Sequence, residues 1–327
     1  MPPHQDPSIR LVADIGGTHA RFALSGGPGQ WSRLMVLTTE AWPDPRAAIE
    51  HYLASMDSPP PAGACLAIAA PLRGDHIAMV NASWSFSRAE LARHFHWPRL
   101  QIINDLAAVA VTLPHLQPDD LLALGTTPAP ADTEPLPRAV LAPGTGFGTA
   151  LLLPTSGGWQ PIPAEGGHAL LGSNRLQELA VIDYWLRRGL APTRENLLSG
   201  PGMYRLYQAC CALHDRPRQA ADGVEVTALA QQQADPMAVQ ALALYLSLLG
   251  SSCGDLALST GAWGGLWLAG GVLPKISQAL IDSSFRARLE DKGPMTDLMR
   301  ATPTHLILAD QPGLTGAAHQ AWADVPP

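Results

Sequence analysis

The chain has 327 residues, 46% of them hydrophobic, and Lys+Arg 21 against Asp+Glu 28 gives a formal net charge of −7. That length allows about two domains with an ample core. The acidic balance and the lack of any basic cluster argue against a nucleic-acid surface. No apolar run reaches the roughly 18 residues needed to span a bilayer. Met1 to Arg10 is polar, with no signal-peptide core, so a soluble cytoplasmic protein without membrane partners is expected.

The N-terminal third alternates strand and helix patterns. Ile9–Ile15 is an apolar run, and Asp14-Ile15-Gly16-Gly17-Thr18-His19-Ala20-Arg21 carries it through a glycine turn into a second strand at Arg21–Ser25. A glycine turn lets backbone N–H groups approach an anion, because no Cβ blocks the way. Further strands are expected at Leu34–Thr38, Cys65–Ala69, His76–Val80 and Leu100–Asn104, and helices at Pro45–Met56 and Ser87–His94. Asn81-Ala82-Ser83-Trp84 offers polar groups and an aromatic after a strand, which reads equally as a surface turn. In Ile102-Ile103-Asn104-Asp105 a strand ends in two polar residues and a helix pattern follows. The carboxyl end of a parallel strand is where α/β proteins bind ligands. Asn and Asp are also ordinary helix caps, and local spacing does not separate the two roles.

Pro114 to Pro137 reads as a long surface connection near a domain boundary. Strands resume at Arg138–Ala142 and Thr149–Leu153, joined by a second glycine turn, Gly144-Thr145-Gly146. Two such hairpins, one per half of the chain, suggest a duplicated nucleotide-binding unit. Pro163-Ala164-Glu165-Gly166-Gly167-His168 follows; its glycines disfavour a helix and suit a loop presenting Glu165 and His168 to a polyol. Helices are expected at Asn174–Arg188, Gly200–His214, Thr227–Gln233 and Asp235–Ser259. Glu195 precedes a sharp turn, Ser199-Gly200-Pro201-Gly202. A strand at Gly265–Leu268 runs into Gly270-Gly271 and a helix from near Pro274. The end holds a strand (Thr304–Leu308), a turn (Asp310-Gln311-Pro312-Gly313) and a helix to about Asp324. Strands alternating with helices mean α/β. Cys65, Cys210, Cys211 and Cys253 contain no C-x-x-C pair, so buried thiols rather than a zinc site are expected.

Taken in order, these stretches resemble the bacterial glucokinase family of the hexokinase–actin–heat-shock ATPase group. The resemblance rests on Asp14 to Thr18 with Arg21, Ile102 to Asp105, Gly144 to Gly146 with Gly148, Glu165 to His168, Leu198 to Gly202 and Ala269 to Gly271. It covers nearly the whole chain and implies a two-domain actin-like, ribonuclease-H-like ATPase fold with the active site in the interdomain cleft. The smaller domain would be residues 1–115 plus 310–327 and the larger 116–309.

The implied activity is ATP-dependent phosphorylation of D-glucose to glucose 6-phosphate; a kinase for mannose or a hexosamine, or a non-catalytic sugar-binding regulator, are the alternatives. Ala13, Asp14, Ile15, Gly16, Gly17 and Thr18 fall on the family's first phosphate loop, Gly144, Thr145 and Gly146 on the second, and Gly270 and Gly271 on the adenosine side. Asp105 falls on the catalytic base. Asn81, Asn104, Glu165, His168 and Glu195 join it around the sugar. Mg²⁺ would accompany ATP, with Asp14 holding its water shell, and a homodimer is expected. The family usually has Asn where this chain has His19, and Gly-Ala where it has Ala142-Pro143. The zinc-binding cysteine cluster of a related kinase–repressor family is missing, and eight residues before the first strand are too few for a helix-turn-helix.

Overall fold

The computed structural model describes residue 6 and residues 8–56, 59–79, 82–127 and 135–323. These fall into two compact units: one comprises described residues within 1–116, 159–163 and 309–327, the other those within 117–158 and 164–308.

The first unit is built on β1 (Arg10–Ile15), β2 (His19–Gly27), β3 (Gln30–Thr38), β4 (Gly63–Ile68) and β7 (Arg99–Asn104), in the sheet order β3-β2-β1-β4-β7. A small hairpin, β5 (His76–Ala78) with β6 (Ser85–Ser87), precedes α2 (Arg88–His94). The first three strands are antiparallel; β4 and β7 add in parallel after crossovers through α1 (Pro45–Ala54) and α2. Parallel neighbours need such crossovers, and both faces of the sheet are then covered. Strand periodicity sorts the side chains accordingly. Leu11, Ala13 and Ile15 join the core under α1, while Val12 faces the opposite core with Ala23, Cys65 and Ala67. That second face is covered by α3 (Asp105–Thr112) and α12 (Pro312–Ala321). The two helices meet through small residues: a Cβ on Gly316 would lie 1.8 Å from the Ala108 carbonyl oxygen.

The second unit repeats the plan. It contains β8 (Leu121–Ala123), β9 (Arg138–Pro143), β10 (Phe147–Thr155), β12 (Gly265–Leu268) and β13 (Thr304–Ile307), ordered β10-β9-β12-β13-β8. The intervening β11 spans Gly158–Ala164. β9 and β10 form an antiparallel hairpin, and β12 and β13 follow in parallel. Helices α4 (Leu176–Leu186), α5 (Arg194–Leu198), α6 (Gly200–Leu213), α7 (Gly223–Gln231) and α8 (Pro236–Thr260) come before β12; α9 (Ser277–Asp282), α10 (Phe285–Glu290) and α11 (Thr296–Ala301) come after it. The 25-residue α8 is long and apolar enough to cross a membrane, yet 78% of its most apolar window is buried inside the protein, so it reads as a core helix.

The structure departs from the sequence expectation in a few places. The connection from Pro114 to Pro137 contains β8, whose Leu121, Leu122 and Ala123 pair with β13. Pro312 and Gly313 open α12 rather than closing a turn. Near Pro274 a 3₁₀ turn (Leu273–Ile276) precedes α9. α7 starts at Gly223 because the Asp222 carboxylate accepts from the Val224 and Glu225 amides. Val80, Asn81 and Asp324 lie outside the described residues. All four cysteines are buried and unpaired, and burial pushes the Cys210 and Cys253 thiols up to about 12.

Candidate active site

In the first unit, three strand ends bring polar groups to one edge of the sheet. Ile15 pairs with Ile68, and Ile68 pairs with Asn104, so the turn after β1 and the junction of β7 with α3 share a register row. The turn is braced by its backbone: Gly16 N–H donates to the His19 carbonyl at 2.9 Å, and the Thr39 hydroxyl donates to the Gly16 carbonyl at 3.0 Å. A Cβ on Gly16 would meet nothing closer than 3.6 Å, so protein packing does not demand the glycine. Ala13 and Ile15 have fully buried side chains, and only their backbone could reach a nucleotide.

Asp14 alternates to the other face, opposite Arg21 on β2. Its Oδ2 lies 3.9 Å from Arg21 Nη1. Burial pushes the Asp14 carboxyl above its ordinary range, and the Arg21 charge pulls the other way. The start of α12 crowds it too: a Cβ on Gly313 would come 3.0 Å from Asp14 Oδ2. Glycine at 313 leaves room for that carboxylate, a constraint hidden in sequence because Pro-Gly reads as a turn.

The β7–α3 junction shows which of Asn104 and Asp105 caps the helix. Asn104 is the cap: its Oδ1 accepts from the Leu106 and Ala107 amides at 3.0 and 3.1 Å. Its amide nitrogen is therefore the end turned away from the helix. Asp105 is the first helical residue, and its Oδ1 accepts from Leu106 N–H at 2.9 Å, which fixes the carboxylate's orientation. A carboxylate at a helix N-terminus is also favoured by the helix dipole.

The second unit gathers the remaining candidates around the start of β10. The turn Gly144–Gly146 closes with a 2.8 Å bond from Gly144 N–H to the Gly146 carbonyl, and the Gly144 carbonyl accepts from Gly200 N–H at 2.7 Å. A Cβ on Gly144 would meet nothing within 4 Å, and the same holds for Gly271. Gly270 adopts φ +90°, where a Cβ would sit 2.5 Å from the Pro143 carbonyl oxygen. The turn after β12 thus lies against the turn after β9, and open glycines expose backbone on both.

The Glu165–His168 segment is a 3₁₀ turn seated on β10; a Cβ on Gly167 would fall 2.0 Å from the Phe147 carbonyl oxygen. Glu165 and His168 are exposed. Glu195 lies on α5 and accepts from Phe147 N–H at 3.0 Å. Arg194, passed over in the sequence, ties α5 to this loop: its N–H donates to the Ala169 carbonyl at 3.0 Å and its Nη1 to the Gly166 carbonyl at 3.3 Å. A five-residue helix gives too little periodicity to signal this. Among the described residues no group of three or more His, Cys, Asp or Glu side chains could hold a metal ion.

The glucokinase family model matches residues 11–323. A glucokinase of Nitrobacter hamburgensis is 37% identical over 314 residues, covering 95% of this chain and 97% of that protein. One from Chromobacterium violaceum is 38% identical over 313 residues, with 95% and 89% covered. The chain belongs to the glucokinase family. Membership makes it a kinase that phosphorylates glucose with ATP. The crystal structure of a glucokinase from an Antarctic psychrotroph superposes with a TM-score of 0.85 at 31% identity, covering 97% of this chain and 99% of that one. A Balamuthia mandrillaris glucokinase, 22% identical, shares the fold at a TM-score of 0.76, covering 96% and 93%. The architecture is the actin-like ATPase fold of glucokinases and related sugar kinases.

The chain's two departures from the usual glucokinase pattern leave the turns intact. His19 closes the first turn through its carbonyl, which any residue supplies. Pro143 is the last residue of β9, and the bond that closes the second turn starts from Gly144 N–H.

Proposed function

We propose that the chain moves the γ-phosphoryl group of ATP to the 6-hydroxyl of D-glucose with Asp105 as general base. The observation that carries this reading is the β7–α3 junction, where Asn104 caps the helix and Asp105, its first residue at the end of a parallel strand, accepts from the Leu106 amide. A sugar hydroxyl is a weak nucleophile; a carboxylate that accepts its proton as it attacks raises its reactivity. Phosphoryl transfer otherwise needs alignment and charge neutralisation.

Each unit contributes to that task. From the first come Asp105, the Asn104 amide as a donor to a sugar oxygen, and the Gly16–Thr18 turn for phosphate. From the second come Glu165, His168 and Glu195 for sugar hydroxyls, Gly144–Gly146 for phosphate and Gly270–Gly271 for the adenosine side. Sites that hydrogen-bond hydroxyls reject an epimer that leaves a polar group unpaired. The Asp14 carboxylate, desolvated and raised in pKa, suits a cation shared with phosphates; Mg²⁺ bound there through water would neutralise phosphate charge.

The test is Asp105→Asn. Asn keeps the size and an oxygen for the Leu106 amide, so glucose binding by calorimetry should change only a few-fold. Loss of general-base catalysis should lower kcat by about 10²–10⁴. A variant keeping more than about a tenth of wild-type kcat, against that range, would return Asp105 to a structural role. A panel of glucose, mannose and glucosamine against ATP, ADP and polyphosphate tests the substrate assignment.

A further inference from the structure

Thr149 follows the second glycine turn, on β10, and has no role in the chemistry above. Its side chain is buried, with 1% of its surface exposed. Its hydroxyl donates to the Ala164 carbonyl at 3.1 Å and accepts from Gly166 N–H at 3.0 Å. Those two groups belong to the residues on either side of Glu165. One hydroxyl therefore grips both peptide units that flank this acid, whose own backbone sits at φ −100°, ψ 42°, between the helical and extended regions.

The packing beneath is equally tight. A Cβ on Gly166 would come 2.7 Å from Thr149 Oγ1. Gly167 rests against the Phe147 carbonyl. The turn cannot sink further onto β10, and the two Thr149 bonds stop it from lifting away.

We propose that Thr149 is a positioning residue for Glu165: its hydroxyl sets the backbone from which that carboxylate reaches the sugar. The proposal rests on the reading of Glu165 as a sugar contact. Thr149→Val keeps the branched shape and removes both hydrogen bonds, leaving the Gly166 N–H in a poorly solvated place. Thr149→Ser keeps the hydroxyl.

Glucose Kd by calorimetry, KM for glucose and for ATP, kcat and Tm are measured for both variants and for Glu165→Gln. Thr149→Val should raise glucose Kd and KM about 5- to 50-fold, the range for one or two lost hydrogen bonds. Its KM for ATP should stay within about two-fold, the bottom of the range for one such bond, and Thr149→Ser should restore glucose affinity. If Thr149→Val is too unstable to purify, Thr149→Ala removes the same hydroxyl and carries the same expectation. A lowered Tm with unchanged glucose Kd in the Val or Ala variant, while Glu165→Gln binds weakly, would overturn the positioning role and leave Glu165 as a sugar contact. Unchanged glucose Kd in Glu165→Gln would instead remove the reading on which the proposal stands.

Discussion

Asn104 offers a substitution in which stability and function should separate. Its Oδ1 caps α3 by accepting from Leu106 and Ala107, and its amide nitrogen has no partner among the described residues. Asp is as good a cap as Asn, while Ala costs about 0.5–2 kcal/mol. Asn104→Asp should therefore keep Tm close to wild type, and Asn104→Ala should lose roughly 2–4 °C for each kcal/mol in a unit of this size. Sugar binding should follow the opposite order. Ala only removes a donor, worth about 0.5–1.5 kcal/mol or roughly 2- to 13-fold in glucose Kd. Asp places an acceptor and a charge where a hydroxyl oxygen needs a donor, and leaves that oxygen facing a carboxylate. The expected rise is about 5- to 150-fold, the 1–3 kcal/mol of an unsatisfied polar group. Thermal melts and glucose calorimetry on the two variants decide the matter. If Asn104→Asp binds glucose as wild type does, the amide is not a sugar donor. If it melts as early as Asn104→Ala, the cap reading is wrong.

Three other substitutions and one control probe the same framework. Asp14 has its carboxyl pKa raised by burial, so the ionised form penalises folding at neutral pH, and the penalty fades as pH falls through the raised value towards the unfolded pKa of about 3.9; Asp14→Asn should therefore raise the ligand-free Tm at pH 7, gain less at pH 4, and abolish activity. Gly144→Val puts a side chain where nothing of the protein lies within 4 Å, so the fold should survive while KM for ATP rises steeply; normal ATP kinetics in a soluble variant would make the turn merely structural. Gly316→Val drives a Cβ into the Ala108 carbonyl and should cost about 1–3 kcal/mol or more by overpacking, whereas Gly172→Ala, with open space around it, should melt like wild type.

The parts of this fold that sequence revealed are those where one physical signal dominates. Apolar runs bordering glycine located β1, β2, β4, β9 and β12 to within about two residues, because buried strands leave little freedom in composition; β7, only partly buried, showed through Leu100, Ile102 and Ile103 before a polar pair. Leu121-Leu122-Ala123 gave no such signal: three residues are too few for a period, and their strand character comes from pairing with β13. Pro312-Gly313 misled for a different reason. Proline suits the first turn of a helix as well as a β-turn. Only the crowding of Asp14 explains the glycine beside it. Asn104 and Asp105 marked the strand-to-helix junction but not which of them caps it, since both residue types cap helices and both serve in ligand sites. The anchors of the Glu165 loop, Arg194 and Thr149, act through backbone carbonyls and an amide, and a sequence carries no record of which carbonyl a side chain will find.

The two glycine hairpins show how a repeated plan divides its chemistry. In the first, the row before the turn pairs Asp14 with Arg21, a carboxylate against a guanidinium. In the second, the row before the turn pairs Ala142 with Gly148, and no charge stands there. The turns between also differ. The first ends on residues whose exposed side chains, Thr18 and His19, border the backbone. The second is glycine on either side of Thr145, beside Gly270 and the open Gly271. A charged row beside a turn suits the end of a nucleotide where charge moves and a cation must be shared. An uncharged, backbone-lined turn suits the part that is only held. The costs follow the same division. The first unit keeps a desolvated carboxylate that penalises its folding at neutral pH. The second spends backbone entropy on glycines that packing at Gly144 and Gly271 does not require. Neither expense improves the fold, and the phosphate-binding role proposed for each turn would account for both.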